Sequence, residues 1–402
     1  MSKMKLLVIT TLYPNKVQYR HGIFVETRLR HLLASGRVDA TVIAPVPWFP
    51  FRLGKGSRYV SSRDIPRIEQ RDGIRIYHPR YCAIPKIGML LTPFFLALSI
   101  GLQVRRLKKA GITWDIVDSH YYYPDGVAVA LTARSLDAPF TVTARGTDIN
   151  LIPRYSLPRN LILWAAEKAS ASITVCSALR DELVGLGAEG DKIQVWRNGV
   201  DLTLFRPMDR AKCRQRYKMT GKTLVSVGHL IERKGHHLVI AAMSQLPDCE
   251  LLIVGDGEEQ RNLEHLVEKL GLCDRVRFLG AVEQSELAEI YSGADVLVLG
   301  SSREGWANVL LEAMACGTPV AATEIWGTPE VVQSREAGLL IPERTPESIA
   351  ETVKQLFVDY PDRAGTRRYA EKFSWDATTD GLLHLFREIA GGGALHRAGR
   401  TT

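Results

Sequence analysis

At 402 residues, with 46% hydrophobic and 24% charged side chains, the chain has material for two or three globular domains and no disordered, collagenous or coiled-coil bias. Six cysteines, Cys82, Cys176, Cys213, Cys249, Cys273 and Cys316, stand far apart without a CxxC pair, which argues against a disulfide framework or zinc site and fits reduced thiols in the cytoplasm. The net charge of +8 is uneven: residues 1–110 hold 20 Lys and Arg against 5 Asp and Glu, a balance that suits nucleic acid, a phosphorylated substrate, an anionic membrane, or merely a solvated basic face.

The chain opens on a buried-strand pattern at 5–10 (KLLVIT), whose apolar run is too short for a secretory signal. A loop with Pro14, Asn15 and Gly22 leads to a predicted helix at 23–33, where Glu26 supplies a favourable first-turn charge. Further strands are predicted at 40–45, 74–78, 115–119, 140–144 and 172–176, with a Pro- and Gly-rich stretch at 45–56. Residues 87–104 carry no charge and run into Arg105, Arg106, Lys108 and Lys109. That length admits a membrane-spanning helix, although Pro93, Ser99, Gln103 and the surrounding strand–helix alternation favour a core or surface helix. An apolar segment ending in a basic cluster also fits an interfacial helix on anionic lipid.

After Asn198-Gly199-Val200-Asp201 the pattern restarts. Strands are predicted at 223–228, 250–255, 276–280, 294–299, 319–323 and 338–341, with a helix at 235–246. Strands alternating with helices imply parallel sheets, so the chain reads as two Rossmann-like α/β domains, 1–200 and 201–370, facing a cleft. An amphipathic helix at 371–390 is expected to return to the first domain, followed by a flexible tail at 391–402.

The most informative stretch begins Ser301-Ser302-Arg303-Glu304-Gly305-Trp306-Ala307-Asn308 and continues through Glu312 to Gly317. A helix is expected after Gly305, capped by Gly317, with backbone N–H groups around Gly305, Trp306, Ala307 and Asn308 offered to phosphate. Glu312 lies among apolar residues; it either accepts hydrogen bonds from a sugar diol or sits exposed on the outer face. Upstream, the loop 228–235 (GHLIERKG) joins a strand to a helix and carries His229, Arg233 and Lys234, cations suited to a diphosphate. Gly255-Asp256-Gly257 lacks the third glycine of a dinucleotide fingerprint, so NAD is rejected. In the first half, Arg145 follows a strand as a permanent cation that cannot act as a base, and His120 lies at a neighbouring strand end.

These motifs resemble the family-four retaining glycosyltransferases of GT-B fold. The two glutamates, Glu304 and Glu312, match its signature; Asn198-Gly199-Val200-Asp201 resembles its interdomain junction, and Gly228–Gly235 and Gly255–Gly257 its donor-domain landmarks. The resemblance implies that Glu304 contacts the transferred sugar and Glu312 the nucleotide ribose. It further implies that Lys234 holds the donor pyrophosphate; His229 stands where the family has an arginine, a role Arg233 can take. Arg145 occupies a position where the family often has histidine, and the loop 10–22, ending at Gly22, approaches donor and acceptor. The implied reaction moves a sugar from a nucleotide-diphosphate donor, with a UDP-sugar the leading candidate, to a saccharide or lipid-linked saccharide. Neither a metal nor another cofactor is called for, nor a nucleic-acid partner, and a peripheral position on the inner face of the membrane is an open expectation. The rivals are a GT-B sugar-nucleotide epimerase or hydrolase and a non-catalytic nucleotide-binding protein.

Overall fold

Short runs rich in branched aliphatic residues build strands that are buried on both faces, the signature of parallel sheets covered by helices. A computed structural model describes residues 3–48, 63–84 and 88–392. These divide into two units, one reaching to Arg197 and resuming at Asp376, the other spanning Asn198–Trp375.

The first unit contains β1 (Met4–Ile9), β2 (Val38–Ile43), β3 (Val46–Trp48), β4 (Ile68–Arg71), β5 (Ile74–Tyr77), β6 (Arg80–Cys82), β7 (Ile116–His120), β8 (Phe140–Ala144), β9 (Ala171–Thr174) and β10 (Ile193–Val195). Eight of them form a sheet ordered β10-β9-β8-β7-β1-β2-β5-β4, while β3 and β6 pair separately. Among the described residues, only the edge pair β4–β5 is antiparallel. The chain order reverses between β1 and β7, so the loops leaving those two strands diverge and leave room for a ligand.

The second unit contains β11 (Lys222–Val227), β12 (Cys249–Val254), β13 (Val276–Gly280), β14 (Val296–Leu299), β15 (Val320–Thr323) and β16 (Gly338–Ile341). They form one parallel sheet ordered β13-β12-β11-β14-β15-β16, with its reversal between β11 and β14. Its core gathers Leu224, Ile240, Leu251, Ile253, Val296, Val298 and Val353 from strands and covering helices. The helix predicted at 235–246 is His236–Ala242 followed by a tighter turn, Met243–Gln245.

The final helix, Trp375–Ala390, buries Leu382, Leu383, Leu385, Phe386 and Ile389 in the core of the first unit, against Leu6, Val8, Val25 and Leu29. The uncharged run, apart from Ile87, which lies outside the described residues, forms the helix Gly88–Lys109. One face of this helix, with Leu96, Ile100, Val104 and Leu107, is buried, and the helix packs against Val127–Leu136. The Pro- and Gly-rich stretch contributes β3, its part from residue 49 lying outside the described residues, as does the tail from 393.

One expectation is corrected here. Glu26 is not merely a first-turn charge: it is 2% exposed and accepts from Arg71 Nε at 2.9 Å, with Arg30 3.3 Å away. It therefore forms a buried ionic junction between its helix and the edge strand β4.

Candidate active site

At the reversal point of the second sheet, two loops leave neighbouring strands and meet. The first, 228–235, leaves β11; the second, 300–307, leaves β14. Ser302 N donates to Arg233 O at 2.8 Å, which ties the loops together. Gly235 turns the chain with φ +72°, and a Cβ there would lie 1.9 Å from Gly300 O. Only glycine permits that approach.

The approach brings the predicted charges into one cluster. Lys234 Nζ donates to Glu304 Oε1 at 2.6 Å, and Ser301 Oγ donates to the same oxygen, also at 2.6 Å. Arg233 lies 3.9 Å from Glu304 Oε2 and spends one N–H on Arg303 O at 2.7 Å. Glu304 is 8% exposed. Burial pushes its carboxyl upward, but the charge and hydrogen bond of Lys234, the Ser301 bond and the Arg233 charge outweigh burial and hold it below its ordinary value. Glu304 is thus an anion at neutral pH, fixed in position by a cation on the facing loop.

Glu312 stands on the helix Asn308–Ala315 and is neither fully exposed nor part of that cluster. Its carboxyl is pushed up to about 7 by burial, against a weak opposing hydrogen bond from the Tyr291 hydroxyl at 3.4 Å. A carboxylate held so near neutrality is poorly satisfied within the fold, and a pair of donor hydroxyls would favour its charged form.

The helix itself starts later than the sequence suggested. It begins at Asn308, and residues 304–307 are not helical. Trp306 explains the delay: its indole N–H donates to Asn198 O at 3.0 Å, and its ring packs at 6.2 Å from that of Phe373. Asn198 also donates to Asn308 Oδ1 at 3.3 Å. Two amides at the helix start are already engaged, Asn308 N with Trp306 O and Leu310 N with Ala307 O. Gly305 and Ala307 are buried beside them. The C-terminal end is as expected, with Gly317 in the left-handed region.

His229 is exposed and pairs with Asp256, Nδ1 to Oδ1 3.3 Å; the structure does not bring it to the Glu304 cluster through any hydrogen bond or ion pair. Gly255 and Gly257 are spacers between loops, since a Cβ on either would fall 1.9 Å from Gly228 O or 2.3 Å from Leu230 O. Arg344, absent from the sequence reading, donates from Nε to Gly300 O at 2.9 Å and from NH2 to Glu232 O at 3.1 Å. It braces both loops from behind. No local motif marks it; only its place after β16 brings it there.

The first unit carries its own polar assembly where its sheet reverses. Thr11 N and Thr10 Oγ1, after β1, donate to Asp125 Oδ2 at 2.6 and 3.1 Å. Gly22 closes that loop: a Cβ there would sit 2.3 Å from the Leu12 carbonyl. Beside it, His120 is buried, with Nε2 3.1 Å from Asp118 Oδ2 and Nδ1 2.5 Å from Arg145 NH2. Asp118 also accepts from Thr141 Oγ1 at 3.0 Å and faces Arg28 at 3.9 Å. These partners assign the His120 proton to Nε2 and leave Nδ1 as the acceptor from Arg145. Burial lowers the His120 pKa to about 4, so the ring is neutral at pH 7. Both nitrogens are spent inside the fold, and the ring positions Arg145. The Arg145 guanidinium, depressed to about 9 mainly by burial, remains a cation and lies 5.1 Å over the Phe24 ring.

Two family models match in succession: Glycosyltransferase Family 4 over residues 25–204 and Glycosyl transferases group 1 over 209–373. A D-inositol 3-phosphate glycosyltransferase of Segniliparus rotundus is 30% identical over 368 residues, 84% of this chain and 81% of that one. The chain belongs to glycosyltransferase family 4. This transferase is also 28% identical, over 87% of its length and 88% of the relative's, to TuaC of Bacillus subtilis, provisionally named a teichuronic acid biosynthesis glycosyltransferase. An N-acetyl-alpha-D-glucosaminyl L-malate synthase of Bacillus anthracis is 30% identical over 61% of this chain and 66% of its own. Among solved structures, sucrose-phosphate synthase from Thermosynechococcus elongatus superposes with a TM-score of 0.81 at 21% identity, covering 97% of this chain and all of that one. HepE of Anabaena in complex with UDP-glucose gives 0.72 at 18%, covering 96% and 100%. The transferase therefore has the GT-B fold and moves a sugar from a nucleotide-sugar donor.

Proposed function

We propose that this transferase moves a hexosyl group, with retention at the anomeric carbon, from a UDP-sugar to a saccharide or lipid-linked saccharide. The observation that supports this most is the 2.6 Å pair of Lys234 and Glu304 across two loops at the sheet reversal. Lys234 and Arg233 place positive charge where the departing diphosphate develops negative charge, the largest stabilisation such a reaction needs. Glu304, kept ionised by that pairing, accepts hydrogen bonds from hydroxyls of the transferred sugar as its ring gains oxocarbenium character. Glu312 accepts from the ribose diol. The acceptor hydroxyl attacks from the face the diphosphate leaves and gives its proton to the departing diphosphate oxygen.

Arg145 narrows the acceptor. It is a fixed cation in the first unit, held by His120, and it suits an acceptor bearing a phosphate or carboxylate. Two relatives are named for such compounds, D-inositol 3-phosphate and L-malate.

The test is nucleotide release from UDP-, GDP- and ADP-sugars, with and without neutral and acidic saccharide acceptors, and the anomeric configuration of the product by NMR. UDP-sugars are expected to react fastest and only with an acceptor, giving the donor's configuration. Donor consumption that an acceptor does not accelerate would favour an epimerase or hydrolase instead. A product of inverted configuration would overturn the proposed stereochemistry.

A further inference from the structure

The helix Gly88–Lys109 is apolar on both sides, although only one side has a protein partner. Buried against the first unit are Pro93, Leu96, Ala97, Ile100, Val104 and Leu107. The other side exposes Leu90, Phe94, Leu98 and Leu102, with Leu98 63% open to solvent. At four-residue spacing these side chains form one continuous stripe. Leu91 is exposed as well. A stripe of this kind in water is costly for a monomeric protein and marks an interaction surface.

The last turn identifies the occupant. Arg105, Arg106, Lys108 and Lys109 follow the stripe, and all four are exposed. Lys108 lies 3.7 Å from Asp137; Arg105, Arg106 and Lys109 form no ion pair with any described residue. A protein partner or second copy would have to cover apolar and densely basic surface at once, and the basic excess of residues 1–110 disfavours self-association there. A lipid surface supplies both complements side by side: acyl chains for the leucines and phenylalanine, anionic headgroups for the guanidinium and ammonium groups.

We propose that the outer face of Gly88–Lys109 lies in the headgroup region of an anionic membrane, docking the first unit without spanning the bilayer. The helix is long and apolar enough to cross a membrane, but its buried face argues against a span, because crossing would strip Leu96, Ile100 and Val104 from their packing and expose Ser99, which donates to Arg80 O at 2.9 Å, to hydrocarbon. The same face would bring the enzyme to membrane-borne acceptors, but docking does not depend on the proposed reaction.

The experiment is flotation of the full chain with phosphatidylglycerol-containing or pure phosphatidylcholine vesicles at low and high salt. Two exposed-face variants accompany it: Leu98→Glu, and Arg105→Gln with Arg106→Gln and Lys109→Gln. Far-UV circular dichroism and a thermal scan report that the first unit of each variant is folded, UDP binding reports the same of the second unit, and size exclusion reports self-association. The wild type is expected to float only with the anionic vesicles and to be released by salt. Each cation multiplies partitioning about fivefold, so the triple variant should bind on the order of a hundredfold more weakly. Leu98→Glu should weaken binding even at low salt. Absence of flotation, or variants that float like the wild type, would overturn the proposal. So would a wild-type dimer that Leu98→Glu dissociates in a protein that ignores vesicles. UDP release from the donor would persist in all of these cases and leave the catalytic reading intact.

Discussion

Glu304 and Glu312 lie in one stretch of chain, yet their surroundings push them in opposite directions. Glu304 is held low by Lys234, Ser301 and Arg233 despite its burial; Glu312 is pushed to about 7 by burial with little to oppose it. A permanently ionised group suits the transferred sugar, whose charge changes during reaction, and a loosely satisfied one suits a ribose that comes and goes. Glu304→Gln should lower kcat on the order of 10²-fold while leaving UDP affinity nearly unchanged. Steady-state kinetics beside calorimetric UDP titration would check it. Lys234→Ala should cost a similar factor in rate, with the loss falling on the departing diphosphate. For Glu312 the sign follows from linkage: its native pKa is raised above the unfolded value of about 4.3, so the stability it contributes is present at low pH and is lost as pH rises through about 7. UDP binding should run the other way. Affinity should strengthen between pH 6 and 8 as the carboxylate forms to accept the ribose hydroxyls, and the pH dependence should flatten in Glu312→Gln.

At the scale of elements, the sequence is legible where a short run stands between clear boundaries. The strands β8, β13 and β16 coincide with the runs that announced them. Of these, β8 is buried throughout, whereas β13, which contains Arg277, and β16 are partly exposed edge strands, each bounded by a glycine of positive φ, Gly280 and Gly338. The edge strand β4, Ile-Glu-Gln-Arg, alternates between exposed and half-buried positions and carries no such run. Strands β3 and β10 have only three residues each. The start of the helix Asn308–Ala315 is not legible locally, because its position is set by Trp306 reaching back to Asn198, 108 residues away, not by a capping side chain. Likewise Lys234 and Glu304 could be singled out separately by their motifs, but their pairing depends on β14 lying beside β11. Gly235 is the joint of that pairing. In Gly235→Ala the new methyl would collide with Gly300 O, and the left-handed backbone alone would cost about 1 kcal/mol. The two loops must part, carrying Lys234 and Arg233 away from Glu304. A displacement on the order of 1 Å should cost about 10²-fold in kcat, with far-UV circular dichroism unchanged. Normal turnover in this variant would mean that the cluster tolerates looser loops than its geometry implies.

At the scale of the whole chain, the link between the two units is closed by the C-terminus. The second unit ends at Trp375, and the final helix then completes the first unit, where Phe386 is fully buried with Leu382 and Leu383. The first unit therefore cannot finish its core until the second has been synthesised. It also encloses a tightly fitted contact: Gly381 meets the Trp196 ring so closely that an added Cβ would fall 1.9 Å from it. Phe386→Ala removes the largest fully buried side chain that the final helix adds to the core of the first unit and leaves a cavity there, at a cost of about 3–5 kcal/mol. That loss falls on the first unit alone. The second unit keeps β11–β16, its own core and the Lys234–Glu304 cluster. Thermal unfolding of the variant should show an early transition that UDP does not shift, followed by one that UDP raises, since a ligand stabilises only the unit it binds. The early transition should coincide with loss of sugar transfer, while UDP binding persists above it. A single transition, lowered as a whole and still raised by UDP, would show instead that the two units unfold as one cooperative body.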